Sequence, residues 1–104
     1  HGIYCGSLPK RDAAYHQGTA WGFLMGGFLT AYMKVHHHSP EAKKQAMAYL
    51  APVQTHLLEE GCIGSISEIF DGDAPHTCRG CYAQAWSVGE ILRCYTQDIQ
   101  KNQK

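Results

Sequence analysis

The sequence predicts an all-α chain, and three observations carry that expectation. Apolar residues recur every three or four positions from about Gly18 to Val35, the period that puts them on one helix face. Ser39-Pro40 then reads as an N-cap and a first-turn proline opening a second helix that reaches about Glu60. The helical period returns in Trp86, Val88, Ile91, Leu92, Tyr95 and Ile99, a third helix that fades into the polar tail QKNQK. At 104 residues, with 44% of them hydrophobic, the chain is too apolar to stay disordered and long enough for a single core.

Taken in order, residues 1 to 15 hold Gly2, Gly6, Ser7 and Pro9 without sustained periodicity, which reads as a loop or as the tail of another element. In the first helix Trp21, Leu24, Met25, Phe28, Tyr32 and Val35 share a face that Phe23 and Leu29 widen. A helix apolar nearly all round is normally buried by neighbours. The run His36-His37-His38 ends it as an exposed helix end. In the second helix Ala46, Leu50, Val53 and Leu57 form a narrower stripe among polar residues, the pattern of an outer, solvent-facing helix. Pro52 removes a backbone donor there and is expected to kink or interrupt the helix near Leu50. Gly61 closes it. The stretch GCIGSISEIFDGDAPHTCRG, rich in glycine and carboxylates, reads as a long loop, and long loops inside compact domains are usually functional.

Two broadly apolar helices flanking one amphipathic helix leave more apolar surface than a three-helix bundle can cover. The expectation is a slice of a larger all-α protein with the first and third helices inside. The chain begins at His1 with no signal peptide visible, again the mark of a fragment.

Nine Lys and Arg balance nine Asp and Glu with no long run of either sign, so nothing invites nucleic acid. Ala13 to Met33 carries no charged residue, and Gly18, Gly22 and Gly26 repeat at G-x-x-x-G spacing. His16, Gln17 and Thr19 shorten its apolar part below a membrane span, so the glycines read as close-packing positions and no membrane is expected. Five irregularly spaced cysteines suit a reducing compartment, hence the cytoplasm.

Chemistry concentrates in Ser67-Glu68-Ile69-Phe70-Asp71-Gly72-Asp73. Carboxylates this close on a glycine-containing loop can face one cleft, as glycoside hydrolysis requires: one acid to protonate the leaving oxygen, one base to activate water. Glu68 sits between Ile66 and Ile69, in less polar company than Asp71 or Asp73. On composition alone such a loop is also read as a solvated turn or a cation site. His16, Gln17 and Trp21 set hydrogen-bonding groups beside an aromatic face, a combination suited to sugar hydroxyls and ring carbons, and Gln84 and Trp86 repeat the pairing at the third helix. A capped helix start with a core tryptophan is the structural alternative. Cys78-Arg79-Gly80-Cys81 with His76 and Cys62 raises a zinc-binding module as a rival, but a structural zinc site usually brings two close ligand pairs. No metal and no cofactor is called for. The remaining rival is a non-enzymatic three-helix interaction module.

YHQGTAWGFLMGGFLTAY, GSISEIFDGDAPHTCRGCYAQAWSVGEILR and the segment around Arg11-Asp12 resemble the closing motifs of the amylo-α-1,6-glucosidase domain of glycogen debranching enzymes, across about residues 4 to 97. Residues 1–104 would then be a C-terminal fragment of that domain. The resemblance implies an (α/α) toroid of six helical hairpins, of which this chain is the last three helices: inner, outer, inner. It implies that Glu68 is the general base of an inverting hydrolysis, with the acid Asp outside this chain, so that the fragment alone is inactive. His16, Gln17, Trp21, Asp71, Asp73, Gln84 and Trp86 are the implied sugar-site residues. The implied partners are a branched α-glucan (glycogen or limit dextrin) and the remainder of the glucosidase domain. The chain departs from the family pattern at Trp21-Gly22, where bacterial relatives often have Trp-Pro, and at Cys78, where a Pro is common.

Overall fold

A computed structural model describes residues 2–100. The protein is mainly helical, with a small antiparallel sheet that the all-α expectation lacked. The order is α1 (Leu8–Gln17), β1 (Thr19–Trp21), α2 (Leu24–Val35), α3 (Pro40–Glu59), β2 (Ile69–Asp71), β3 (Cys78–Arg79) and α4 (Ala85–Cys94). A π-helical segment, Tyr95–Gln100, continues α4. β2 is the central strand: Thr19, Ala20 and Trp21 face Asp71, Phe70 and Ile69, and on the other edge Ile69 and Phe70 face Arg79 and Cys78.

The expected loop over residues 1 to 15 is corrected by α1. It starts after Ser7 with Pro9 in its first turn, where a missing N–H costs nothing, and it buries only Ala14. A helix with so little buried surface carries no apolar stripe to be read. The first predicted helix starts later than expected, at Leu24, because Thr19–Trp21 is drawn into the sheet. The long loop likewise contains β2 and β3. These strands are two or three residues long, too short for an alternating pattern, and β1 finds its partner β2 far along the sequence.

The second helix matches its start signals. Ser39 is extended, and its hydroxyl accepts a hydrogen bond from the Ala42 N–H at 3.1 Å. α3 runs past Pro52 without interruption, and Gly61 beyond its end is left-handed (φ 54°), a conformation that glycine adopts without a Cβ clash. His37 and His38 are left-handed too, which ends α2 at the histidine run.

The core joins Leu29 and Met33 of α2 to Ala42, Ala46 and Leu50 of α3, with Cys94 and Ile99 closing it from the C-terminal side. Alanines four residues apart on α3 let that helix approach closely. Burial also pushes the Cys94 thiol up to about 11, so it stays protonated. Between α2 and α4 the contact is closer still: a Cβ on Gly26 would lie 2.8 Å from Glu90 Cβ and 2.9 Å from its carbonyl oxygen. At Gly22 the neighbours are the Ser67 carbonyl and Ser87 Oγ, each 3.1 Å from where a Cβ would be. Gly26 thus serves helix packing, while Gly22 lets the chain between β1 and α2 approach Ser67 and α4. Arg93 clamps both Glu90 oxygens, at 3.0 and 2.9 Å, and reaches Thr30 and Asp98. The Arg93 hydrogen bonds hold the Glu90 carboxyl below its ordinary value.

α2 and α4 keep apolar side chains exposed on their other faces, among them Leu24, Phe28, Val35, Trp86 and Leu92.

Candidate active site

Glu68 lies one residue before β2, and its backbone is held from both sides. Its N–H donates to the Cys81 carbonyl at 2.8 Å, and its carbonyl accepts the Gly22 N–H at 3.0 Å. The preceding residue, Ser67, is buried and donates its N–H to His56 Nε2 at 3.1 Å. A backbone N–H can only donate, so Nε2 is the acceptor nitrogen and Nδ1 carries the proton that it shares with Glu60 Oε2 at 3.1 Å. His56 therefore pins the chain just ahead of Glu68 from the far end of α3. Sequence reasoning missed it, since a histidine inside an amphipathic helix carries no local mark.

The half-buried Glu68 carboxylate is shared among three segments. Oε1 accepts the Tyr15 hydroxyl of α1 at 2.7 Å and Gln84 Nε2, just before α4, at 3.2 Å. Among the described residues Oε2 accepts only the Cys81 N–H, at 3.3 Å. The hydrogen bond to Glu68, followed by burial and the carboxylate's charge, pushes the Tyr15 phenol up to about 12, so it remains a donor at neutral pH. Tyr15 is the site residue the sequence analysis did not single out, although it begins the Tyr15-His16-Gln17 run.

Aromatic rings extend away from this carboxylate. Tyr15 meets Trp21 edge-on with centroids 4.6 Å apart, and the Trp21 indole N–H donates to the Tyr15 carbonyl at 3.1 Å. Trp21 in turn meets Trp86 edge-on at 6.1 Å, and Phe23 stacks flat on Trp86 at 4.1 Å. Trp86 remains 47% exposed, leaving aromatic surface open to a ligand. Trp21, Gln84 and Trp86 are thus gathered near Glu68 through these contacts. His16 and Gln17 are exposed at the end of α1, and His16 packs edge-on against Tyr15.

The two aspartates differ. Asp73 is exposed beside Gly2, whereas Asp71 is buried on β2 and accepts the Tyr4 N–H at 2.8 Å and Arg79 Nε and Nη2 at 3.2 and 3.0 Å. Burial alone would raise the Asp71 carboxyl, but the Tyr4 and Arg79 hydrogen bonds outweigh it and hold the group below its ordinary value. Asp71 thereby ties the N-terminal segment and β3 to the central strand.

Among the described residues the zinc set suggested by Cys62, His76, Cys78 and Cys81 does not come together. The donor atoms that do are those of His56, Glu60 and Cys78, within 4.8 Å of one another. Both His56 nitrogens are already hydrogen-bonded, so a metal there would have to displace Ser67 or Glu60. An apolar cleft of about 540 Å³ lies between the sheet, α2 and α3, lined by Trp21, Met25, Phe28, Val53, His56 and Phe70 among others. Glu68 is not in its lining, so the cleft and the carboxylate are separate features, and the hydrogen-bonded carboxylate is the one with chemistry to offer.

Among the described residues no helix is long and apolar enough to cross a membrane. No curated protein and no solved structure matches the chain. A family model described as amylo-alpha-1,6-glucosidase, however, matches residues 1–93, which include every residue just placed around Glu68. On that match the chain belongs to the amylo-alpha-1,6-glucosidase family.

Proposed function

We propose that the chain forms the general-base side of an active site that hydrolyses α-1,6-linked glucose at the branch points of glycogen or limit dextrin. Glu68 is the base. The observation that carries this is the state of its carboxylate: half-buried, anchored through one oxygen by Tyr15 and Gln84, and held at the other by a single long bond from the Cys81 N–H among the described residues.

In this mechanism Glu68 accepts a proton from a water molecule while the water oxygen bonds to the anomeric carbon. The glycosidic C–O bond breaks, and its electron pair stays on the leaving oxygen, which an Asp outside this chain protonates. Configuration inverts, for which the two carboxyl groups stand roughly 6.5–9.5 Å apart to admit the water.

Trp21 and Trp86 offer rings to a sugar face, and Gln84, His16, Gln17 and Asp73 offer polar groups at its edge. Asp71 contributes from beneath by holding Arg79 and the N-terminal segment. We further read α2, α3 and α4 as inner, outer and inner helices of an (α/α) toroid. The exposed Leu24, Phe28 and Val35 of α2 and Leu92 of α4 support this, because the remainder of a glucosidase domain would cover them. A cytoplasmic glucan-degrading enzyme is the setting that fits these features.

The test is glucose release from an α-1,6-branched limit dextrin by the glucosidase that contains this chain. Glu68→Gln is expected to lower kcat by about 10²- to 10⁴-fold, the usual contribution of a general base, with the melting temperature nearly unchanged. Full activity in that variant would remove Glu68 from the mechanism.

A further inference from the structure

Resting on the Glu68 reading, we infer that Tyr15 and Gln84 are positioning residues that saturate Oε1, so that Oε2 is the oxygen that takes the proton from water. A carboxylate oxygen has two lone-pair directions. On Oε1 both are taken, by the Tyr15 hydroxyl at 2.7 Å and the Gln84 amide at 3.2 Å. On Oε2 one is taken, by a long bond from the Cys81 N–H at 3.3 Å, and among the described residues nothing takes the other. The two oxygens of one carboxylate thus have separate duties: one fixes its orientation, the other receives the proton.

Two further features agree with that division. Tyr15 is itself held, because its ring packs against Trp21 and its carbonyl accepts both the Trp21 indole N–H and the Thr19 hydroxyl, so its phenol has a fixed direction. Gly80 borders Oε2, and a Cβ there would come within 2.6 Å of that oxygen. The missing side chain keeps this side of the carboxylate uncrowded. Gly80 also has φ 68°, so its backbone favours glycine independently of the contact.

Both positioning residues fix the direction of the Glu68 carboxylate, so their loss should show in turnover rather than in substrate binding. In Tyr15→Phe, kcat on limit dextrin should fall about 10-fold with KM changed far less. Gln84→Leu, which loses the longer bond, should lower kcat by less, and it takes over the test if Tyr15→Phe does not fold. A merely structural role would lower the melting temperature and leave kcat of the folded variants in place, and that result overturns the inference. Gly80→Ala should lower kcat more than KM; an unchanged kcat in the folded variant would overturn the assignment to Oε2. Glu68→Gln is measured alongside. If it abolishes activity while kcat holds in the folded Tyr15 and Gln84 variants, only the positioning roles fall; if it leaves activity intact, the general-base reading falls too.

Discussion

The helical core and the sheet around Glu68 are held together by different physics. Leu29, Met33, Ala46, Leu50 and Ile99 pack through apolar surface, which is non-directional and tolerates small shifts. Glu68 and Asp71 are held by directional hydrogen bonds between residues far apart in the chain: 53 positions for Tyr15 to Glu68 and 67 for Tyr4 to Asp71. Damage to the first region should therefore appear as lost stability, and damage to the second as lost geometry at the carboxylate.

The sharpest way to break this contrast is within the core. Leu29 is fully buried, and Leu29→Ala should cost about 3 kcal/mol in chemical denaturation, the usual range for a leucine truncated to a cavity. Glucose release measured well below the melting temperature should be little affected; a selective loss of activity in a fully folded variant would couple the two regions more tightly than their contacts suggest. His56→Ala sits on the boundary. It leaves the buried Ser67 N–H without its acceptor, so about 1–3 kcal/mol of stability should go, and activity should fall as well because the chain ahead of Glu68 is released.

Asp71 sharpens the contrast through pH. Its carboxyl binds a proton more weakly in the folded protein than in the unfolded chain, whose ordinary value is 3.8. The sign follows: its contribution to stability is complete above 3.8 and is lost as pH falls through the lower folded value. Denaturation midpoints followed downward from pH 5 should decline less steeply below that point in Asp71→Asn than in the wild type; parallel declines would show that the Arg79 pair contributes little.

The smallest effect is expected at Ser87, whose buried hydroxyl has no hydrogen-bond partner among the described residues. Ser87→Ala should be neutral or stabilise by less than about 1 kcal/mol, since an unpaired buried hydroxyl already bears its desolvation cost. A clear loss of stability would show that Oγ has a partner beyond these residues.

How far each part could be read from sequence follows the same division. α2 and α3 announce themselves because a helix repeats locally: the apolar period runs through Leu24, Phe28 and Tyr32, and Ser39-Pro40 marks a start within four residues. α1 escaped notice because it buries only Ala14 and so has no stripe. β1, β2 and β3 escaped because strands of two or three residues exist through their partners, and Thr19 cannot announce that it faces Asp71. At the candidate site, Glu68, Trp21, Gln84 and Trp86 stood out by type and spacing. Tyr15 and His56 did not, since a tyrosine or a histidine in a helix is ordinary until something is seen at the end of the side chain.

The sequence by itself determined the central helices, the family and the residue types of the carboxylate loop, because periodicity, capping and motif spacing are all encoded over short stretches of chain. Only the tertiary structure decided that α1 and the sheet exist, that Asp71 is a buried tie beside an exposed Asp73, and that among the described residues one Glu68 oxygen accepts two donors while the other accepts one. Those outcomes depend on which distant groups arrive at hydrogen-bonding distance, and no local pattern records that.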